Sequence, residues 1–216
     1  MARLVRYHLP LPTQSAIQTD MKTQSGFTLI ELVVTIAVLI VLLVLGVPEF
    51  QRMTESNRQV AAINAIVSDL NLARSEAVKT GRVVTLCGST DGATCNTGNW
   101  ESGWIVFTDG NRNAGINPAD GDILISRNNG LPAGLALFGV AFDDNAIVQY
   151  LPNGELRDTD GDGVDDGTFV VCDTKDKDAT RARASNVTRL GRVAIARDTD
   201  NDGIRNDVNG NNVTCN

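Results

Sequence analysis

The strongest constraint on this chain is an apolar run that begins at Phe27 and ends at Val47. Glu31 is the only ionisable side chain between Lys22 and Glu49. About 20 apolar residues suffice for a helix to cross a bilayer, so the run predicts one membrane-spanning helix. A carboxylate inside such a helix costs roughly 2.5–3.5 kcal/mol on insertion scales. Glu31 therefore predicts a functional site that needs a cationic partner.

The residues around this glutamate form a motif, Gly26-Phe27-Thr28-Leu29-Ile30-Glu31. The motif resembles the processing site of type IV prepilins and of the pseudopilins of type II secretion. The resemblance implies that a prepilin peptidase cuts between Gly26 and Phe27 and that Phe27 becomes N-methylated. It also implies that Glu31 meets the α-amino group of a neighbouring subunit. The alternative is an ordinary signal anchor that carries a chance glutamate.

Residues 1–26 form a polar leader with basic side chains. No small-residue cleavage site follows the apolar run, which argues against a secretory signal peptide. The segment from Met21 to Gly26 is itself a complete short prepilin leader. We therefore expect translation to start at Met21, with residues 1–20 a start-site artefact or a dispensable extension. The basic leader places the N-terminus in the cytoplasm and predicts a single-pass inner-membrane protein with a periplasmic head.

Four parts follow from composition: the leader 1–26, a transmembrane and assembly helix 27–47, an amphipathic helix 48–80 and a β-rich head 81–216. Pro48 predicts a kink or local melting where the two helical parts meet. Apolar residues then recur every three or four positions and predict the face that packs on the head. These residues are Val60, Ile63, Val67, Leu70 and Ala73.

Beyond Gly81 the pattern changes to short β runs between turns rich in Gly, Asn and Asp. The predicted strands are Arg82–Cys87, Gly103–Thr108, Asp122–Arg127, Leu135–Phe142, Ile147–Leu151, Thr168–Cys172 and Val193–Arg197. This order predicts an α+β fold in which a long N-terminal helix packs on an antiparallel β-sheet head.

Motifs of the head indicate which group of pilin-like proteins the chain resembles. They are Ala73-Arg74-Ser75-Glu76-Ala77, the run from Trp100 to Asp109, Leu151-Pro152-Asn153-Gly154 and Leu190-Gly191-Arg192. Together with the N-terminal motif they resemble the H-type minor pseudopilins (GspH) and the FimT/FimU-type minor pilins. We interpret Trp100 and Trp104 as core residues, with a subunit contact as the alternative.

The resemblance implies a type IV pilin-like fold and a structural role. A minor subunit of this kind initiates or caps a pilus or pseudopilus fibre, and the resemblance implies a place at the fibre tip. Its implied partners are other minor and major pilins or pseudopilins, the inner-membrane assembly platform, the prepilin peptidase and, before assembly, membrane lipid. Type IV pilus and type II secretion subunits share these motifs, so both machines remain open.

Four cysteines, Cys87, Cys95, Cys172 and Cys215, follow the membrane segment and lie where disulfides persist. They allow three pairings. We favour Cys87–Cys95, which closes a short loop, and Cys172–Cys215, which ties down the C-terminal segment. A zinc site is the alternative, but it has neither a Cys-x-x-Cys spacing nor a histidine after the leader.

Two acidic loops resemble the first half of a calcium-binding loop, since carboxylates alternate and a glycine stands at the sixth place. The first loop offers Asp158, Asp160, Asp162, Asp165 and Asp166, and the second offers Asp198, Asp200, Asp202 and Asp207. Neither has the glutamate that an EF-hand carries at its twelfth place. We expect Ca²⁺ at both loops, with solvated acidic turns as the alternative.

A third and weaker calcium candidate begins at Asp109-Gly110-Asn111-Arg112-Asn113, with Asp120 and Asp122 downstream. Its residue types are also the commonest residues of ordinary turns, so a solvated turn is the favoured interpretation.

A basic stretch raises DNA binding as an alternative function. Some FimT-like minor pilins bind DNA during natural transformation through Gly-Arg-x-Arg, whereas this chain has Gly191-Arg192-Val193-Ala194. Arg189, Arg192 and Arg197 could still contact phosphates. However, no aromatic residue is interleaved to stack on bases, and the chain without its leader holds 16 basic and 25 acidic residues. A solvated strand face is the favoured interpretation.

Enzyme activity is disfavoured by the residues that the chain offers. Its one histidine, His8, lies in the leader. Ser-His-Asp and Cys-His chemistry is therefore excluded from the mature chain. A structural subunit is the function that the sequence predicts.

Overall fold

The computed structural model describes residues 26–95, 98, 100–140, 142, 147–158 and 166–215. Among these residues the only α-helix, α1, is Leu29–Thr80. The strands are β1 Val84–Gly88, β2 Trp104–Thr108, β3 Leu124–Asn128, β4 Leu135–Val140, β5 Ile147–Tyr150, β6 Gly167–Asp173, β7 Arg183–Val187 and β8 Val193–Ile195. Short 3₁₀ turns cover Trp100–Ser102, Pro118–Asp120 and Ala179–Arg181. The predicted α+β fold is confirmed.

The chain divides into two compact units, one ending at Gly46 and the other beginning at Val47. The described part of the first unit is the apolar start of α1, and all of its residues are exposed. This part is long and apolar enough to cross a membrane. The second unit holds the rest of α1 and every strand among the described residues.

The helix is continuous through Pro48. The local melting that this proline predicts is therefore absent from the described helix. A proline removes one hydrogen bond of the ladder, and the neighbouring turns remain bonded. In this stretch α1 also gains the ion pair Arg52–Glu49, at 2.8 Å.

The face of α1 that packs on the head differs in part from the predicted face. Ile63, Leu70 and Ala73 are buried as expected, whereas Val60 is exposed and Val67 only half-buried. The buried positions are Gln59, Ala62, Ile63, Ile66, Leu70, Ala73 and Ala77. Small alanines on this face let the helix approach the sheets closely, a preference that a search for large apolar residues overlooks.

The strands form two four-stranded antiparallel sheets, in the orders β3-β2-β1-β5 and β4-β6-β7-β8. All seven predicted strands are present, with ends shifted by a few residues. Strand β7 was not predicted because Arg183-Ala184-Ser185-Asn186-Val187 contains one β-branched residue. Its position between β6 and β8, with Ala184 and Ser185 fully buried, makes it a strand.

The main core lies between the second half of α1 and both sheets. Trp100 and Trp104 are buried in it, which confirms their interpretation as core residues. The ring of Trp100 meets that of Phe169 edge to face at 4.8 Å, a favourable aromatic geometry. The indole of Trp104 donates to Asp69 on α1 at 2.7 Å. A buried tryptophan needs such a partner for its N–H group.

Candidate functional site

The N-terminal motif leads directly into the helix. Gly26, Phe27 and Thr28 precede α1 and are exposed. The hydroxyl of Thr28 accepts a hydrogen bond from the backbone N–H of Glu31 at 3.3 Å. Thr28 and Glu31 thus have the spacing and one of the two hydrogen bonds of a capping box. The carboxylate of Glu31 stands in the first turn, where the helix dipole favours a negative charge.

The structure forms two disulfides, Cys87–Cys95 and Cys172–Cys215, with Cα–Cα distances of 5.5 and 5.8 Å. This is the pairing favoured from the sequence. The first ties the end of β1 to the loop that follows it. The second ties β6 to the C-terminal segment, whose Val213 packs beside Cys172 in a second, smaller apolar cluster.

In the second acidic loop, the carboxylates of Asp198, Asp200 and Asp202 lie together. One oxygen of each is within 4.8 Å of the others, and all three residues are accessible to solvent. Asp198 also organises the loop, since its oxygens accept from the amides of Asn201 at 2.7 Å and Gly203 at 2.9 Å. Desolvation raises the pKa of Asp198, but these amide bonds outweigh it and hold the pKa below its usual value.

The fourth predicted ligand of this loop, Asp207, lies outside the group of three carboxylates. Its oxygen accepts from the amides of Asn209 at 2.9 Å and Asn211 at 2.8 Å. Asp207 therefore stabilises its own turn. The nearby Asn206 accepts from Thr199, at 2.7 Å from the backbone and 2.8 Å from the hydroxyl, so the two turns are joined.

Of the first acidic loop, Asp160, Asp162 and Asp165 lie outside the described residues. Asp166 accepts a hydrogen bond from the backbone amide of Arg189. The described end of this loop is thus connected to the turn between β7 and β8.

The third calcium candidate is organised around a buried carboxylate. Asp109 is fully buried. It accepts from the hydroxyl of Thr85 at 2.8 Å and from the amide of Gln149 at 2.8 Å. Backbone amides of Asn113 at 3.1 Å and Ala114 at 2.9 Å complete the set. Four donors satisfy this carboxylate, so its role in the structure is to fix the loop after β2 on the sheet.

Two of the three predicted DNA-contacting arginines share a surface groove. Arg192 and Arg197 line a depression of about 790 Å³ beside β8. Asp207 lines the same groove and reduces its positive charge. Arg189 lies in the turn between β7 and β8 and is not among the groove's lining residues.

The sequence did not predict the hydrogen bonds that Arg74 makes across the head. Its guanidinium donates to the carbonyl of Gly154 at 3.0 Å and to that of Leu190 at 2.9 Å. It therefore joins three of the head motifs that carried the resemblance. The position of Arg74 between the buried residues Ala73 and Ala77 was a sequence signal for such a role. Its partners could not be identified, because only the fold brings the three motifs together.

Two sequence models of protein families match the chain. "Type II transport protein GspH" matches residues 62–191. "Prokaryotic N-terminal methylation motif" matches residues 21–47. The chain belongs to the GspH family. It is a structural minor subunit of a type IV pilus or of a type II secretion pseudopilus, as the sequence predicted.

Solved structures of low sequence identity resemble the chain. The type IV minor pilin FimU of Pseudomonas aeruginosa has a TM-score of 0.48 and 19% identity, covering 68% of this chain and 92% of that one. The minor pseudopilin EpsH of the Vibrio cholerae type 2 secretion system has a TM-score of 0.42 and 12% identity, covering 64% and 95%. No curated protein sequence is significantly similar. The family assignment rests on the sequence models.

The family is structural, and its members assemble with other pilins or pseudopilins after processing by prepilin peptidase. The methylation motif, which matches residues 21–47, and the apolar start of α1 indicate membrane anchoring and assembly into a pilus or pseudopilus for this GspH-family chain.

Proposed function

We propose that this chain waits in the inner membrane with its head in the periplasm and then helps to initiate or cap a fibre, at its tip. The observation that carries the proposal is the exposed sequence Gly26-Phe27-Thr28, which leads into a helix whose apolar start is exposed along its whole length. Such a helix buries its surface either in lipid or against neighbouring helices. Extraction from lipid into a helical bundle is therefore the assembly step.

Glu31 directs this step through its charge. Cleavage between Gly26 and Phe27 creates an α-ammonium next to the positive end of the helix dipole, where a cation is disfavoured. The carboxylate of Glu31 in a neighbouring subunit supplies the opposite charge. Because the apolar surroundings weaken competing solvation, the pair fixes the axial position of one helix against the next.

The test of this proposal uses Glu31→Gln, which keeps the shape and removes the charge, and Thr35→Val as a control in the same segment. Thr35 donates to Leu32 of its own helix and carries no charge. We expect Glu31→Gln to insert into membranes normally and to co-purify with partner subunits at least tenfold less. We expect mass spectrometry to find N-methylated Phe27 as the first residue of all variants. An intact leader in assembled material, or unchanged co-purification, would overturn the proposal.

The implied partners are other minor and major pilins or pseudopilins and the inner-membrane assembly platform. Support for them comes from membership of the GspH family and from the processing motif. Pull-down of the full-length chain with each machine's components, in cells that carry both, discriminates the type IV pilus from type II secretion.

We also infer that the second acidic loop binds Ca²⁺. The convergence of Asp198, Asp200 and Asp202 within 4.8 Å supports this, because three carboxylates so placed repel one another unless a cation is present. Carboxylate oxygens are the ligands that Ca²⁺ prefers. The first loop has the same alternation, and Asp158 and Asp166 are its described ends.

The calcium proposal is tested by thermal melting of the oxidised head, from Glu49 onward, in millimolar Ca²⁺ and in chelator. Ligand at about 100 Kd stabilises a folded protein by roughly 2.7 kcal/mol, so a clear rise in Tm is expected. Asp200→Asn should reduce it, whereas Asp207→Asn, outside the carboxylate group, should retain it. Equal melting temperatures in calcium and in chelator would make these loops turns only.

DNA uptake is the less supported second function. The groove with Arg192 and Arg197 supports it, and Asp207 in the same groove opposes it. Salt-dependent binding of a DNA duplex that Arg192→Ala weakens would favour this alternative.

A further inference from the structure

Strand β8 is the outermost strand of its sheet and pairs with β7 on one side only. The sheet order β4-β6-β7-β8 places it at the edge. The carbonyl of Arg192 accepts a hydrogen bond from the backbone amide of Thr188 at 3.0 Å. The amide of Ala196 donates to the carbonyl of Ala184 at 2.9 Å. Residues 192, 194 and 196 therefore direct their main-chain groups toward β7.

The main-chain groups of Val193 and Ile195 point the other way. In an antiparallel pair, successive residues alternate between those that bond the partner strand and those that face away from it. The N–H and C=O groups of both residues thus lie on the open side of β8. Among the residues that the structure describes, none donates to or accepts from these groups. Ile195 is 51% exposed, so this edge is open to a partner.

Strand β5, at the edge of the other sheet, shows how this head covers an edge with its own chain. The outward carbonyl of Gln149 accepts from the backbone amide of Arg157 at 2.9 Å. Tyr150 forms an antiparallel bridge with Leu156. Residues 155–157 therefore occupy the edge of β5. No segment within the described ranges does the same for β8.

A groove of about 790 Å³ beside β8 gives room for the side chains of an added strand. Ala194 and Ile195 line it on the strand, and residues of the segment 206–210 line it from the C-terminal part of the chain. Val208 adds a third apolar side chain to the lining. An extended segment with aliphatic residues can therefore bury apolar surface here while its backbone bonds the edge.

The charge around β8 changes from one end of the strand to the other. The described cations near its start are Arg74, Arg189 and Arg192, and the described carboxylates there are Glu155 and Asp166. At its end one cation, Arg197, lies among the carboxylates of Asp198, Asp200, Asp202 and Asp207. Opposite charges on neighbouring strands stabilise pairing, and like charges destabilise it. A carboxylate on an added strand is therefore favoured beside Arg192 and disfavoured at the other end.

We propose that an extended segment of a neighbouring fibre subunit adds to β8 as an antiparallel strand, with a carboxylate beside Arg192. The inference rests on the fibre-subunit role of the proposed function and identifies a contact between heads. Val193 and Ile195 each exchange two main-chain hydrogen bonds with the added strand. Their outward carbonyls favour a polypeptide over nucleic acid, because phosphate oxygens accept hydrogen bonds and supply no donor to a carbonyl.

The direct test uses the full chain in detergent micelles and a labelled peptide of about eight residues, with alternating serine and valine and a glutamate at its C-terminal end. We expect saturable binding by fluorescence polarisation, and amide exchange of Val193 and Ile195 about tenfold slower with the peptide bound. The same peptide with alternate amides N-methylated should bind about tenfold more weakly, since one of its edges can no longer donate. Moving the glutamate to the N-terminal end should weaken binding about threefold.

Two variants of one residue separate the backbone from the side chain. Ile195→Pro removes an outward N–H, and edge strands tolerate proline where the N–H faces solvent. It should weaken peptide binding about tenfold. Ile195→Ala keeps the N–H and should bind within about threefold of the unmodified chain. In cells, Ile195→Pro should also co-purify less with partner pilin or pseudopilin subunits than Ile195→Ala does. Thermal melting verifies that both variants fold, and the N-methylated peptide tests the backbone contact even where Ile195→Pro does not.

Equal binding of the plain and N-methylated peptides overturns the inference, and so does an absence of peptide binding. Protection of the Ile195 amide that rises with chain concentration, without peptide, assigns the edge to a second copy and overturns it. A DNA duplex that displaces the peptide and still binds Ile195→Pro assigns the groove to phosphates, with the same consequence. Normal co-purification of Ile195→Pro beside loss with Glu31→Gln contradicts this inference alone, whereas an unmodified chain that joins no partner subunit contradicts the proposed function as well.

Discussion

Gly191 illustrates how a single residue constrains the head. Its φ is +71°, and a Cβ atom there would lie 1.9 Å from the carbonyl oxygen of Gly154. That same carbonyl accepts from Arg74. The turn between β7 and β8 can therefore approach the Pro-Asn-Gly turn and the helix only when residue 191 has no side chain.

We predict that Gly191→Ala lowers the free energy of unfolding of the head by about 2–4 kcal/mol, since it combines backbone strain with a clash against main chain. Gly210→Ala is the matched control. Its φ is +83° and nothing lies within 4 Å of its Cβ position, so it should cost only about 1 kcal/mol. Urea unfolding measures both, and equal losses would show that the clash is relieved.

Tyr150 gives a second prediction at the scale of one residue. Its side chain is buried, and its hydroxyl has no hydrogen-bond partner among the described residues. Burial raises the pKa of Tyr150 above its ordinary value of 10, although the nearby charge of Arg74 opposes this. Tyrosinate therefore forms near pH 10 in the unfolded chain and only at higher pH in the folded one. Stability is retained below pH 10 and falls as the pH rises above it.

Tyr150 is the only tyrosine after the leader, so tyrosinate absorbance reports it alone. We expect the absorbance to rise together with alkaline unfolding, and Tyr150→Phe to flatten that pH dependence with little change in stability at pH 7. A tyrosinate signal near pH 10 from the folded head would contradict this.

At the scale of the elements, the helix shows what periodicity predicts and what it leaves out. Its length and its buried side were predictable because apolar residues recur every three to four positions. The exact centre of that side was only partly predictable: Ile63, Leu70 and Ala73 were expected there, whereas the small residues Ala62 and Ala77 were not.

We predict that Ala73→Leu destabilises the head by about 1–3 kcal/mol through overpacking. Ala73 is fully buried, whereas Ala61 on the same helix is exposed, so Ala61→Leu should change stability by less than about 0.5 kcal/mol. Thermal melting compares the two variants. Similar effects would mean that the sheets move to accept a leucine at residue 73 at little cost, which would contradict the prediction.

The strands, too, were predictable only where the local pattern determines them. Strands rich in Val, Ile, Leu and Phe were predictable from local pattern. Strand β7 is a central strand through its partners β6 and β8 and not through its own composition. Pairing between distant segments is tertiary information, which a single sequence does not encode locally.

At the scale of the whole molecule, two covalent links close loops of different size. The sequence separation is 8 residues for Cys87–Cys95 and 43 for Cys172–Cys215. In the chain-entropy model these loops correspond to roughly 2.5 and 4 kcal/mol of stabilisation. We expect Cys172→Ser/Cys215→Ser to lower the free energy of unfolding more than Cys87→Ser/Cys95→Ser. Urea unfolding of the oxidised heads checks the order, and the reverse order would contradict a loop-closure origin.

The assembly segment was predictable from the sequence because its chemistry is local: a motif of six residues and an apolar run. The residues that fix the loops of the head could not be predicted in this way. Asp109 is one buried carboxylate served by donors from β1, β5 and its own loop, and nothing in its immediate sequence distinguishes it from a surface turn.

The contact among Arg74, Gly154 and Gly191 also has a consequence for evolution. One guanidinium serves two carbonyls, and one carbonyl occupies the space of a missing side chain. A side chain at residue 191 would displace the carbonyl that Arg74 contacts, so we expect lineages to keep or lose this arrangement as a unit. In relatives too divergent for ordinary alignment, this trio marks the descendants that still inherit the same arrangement of the head.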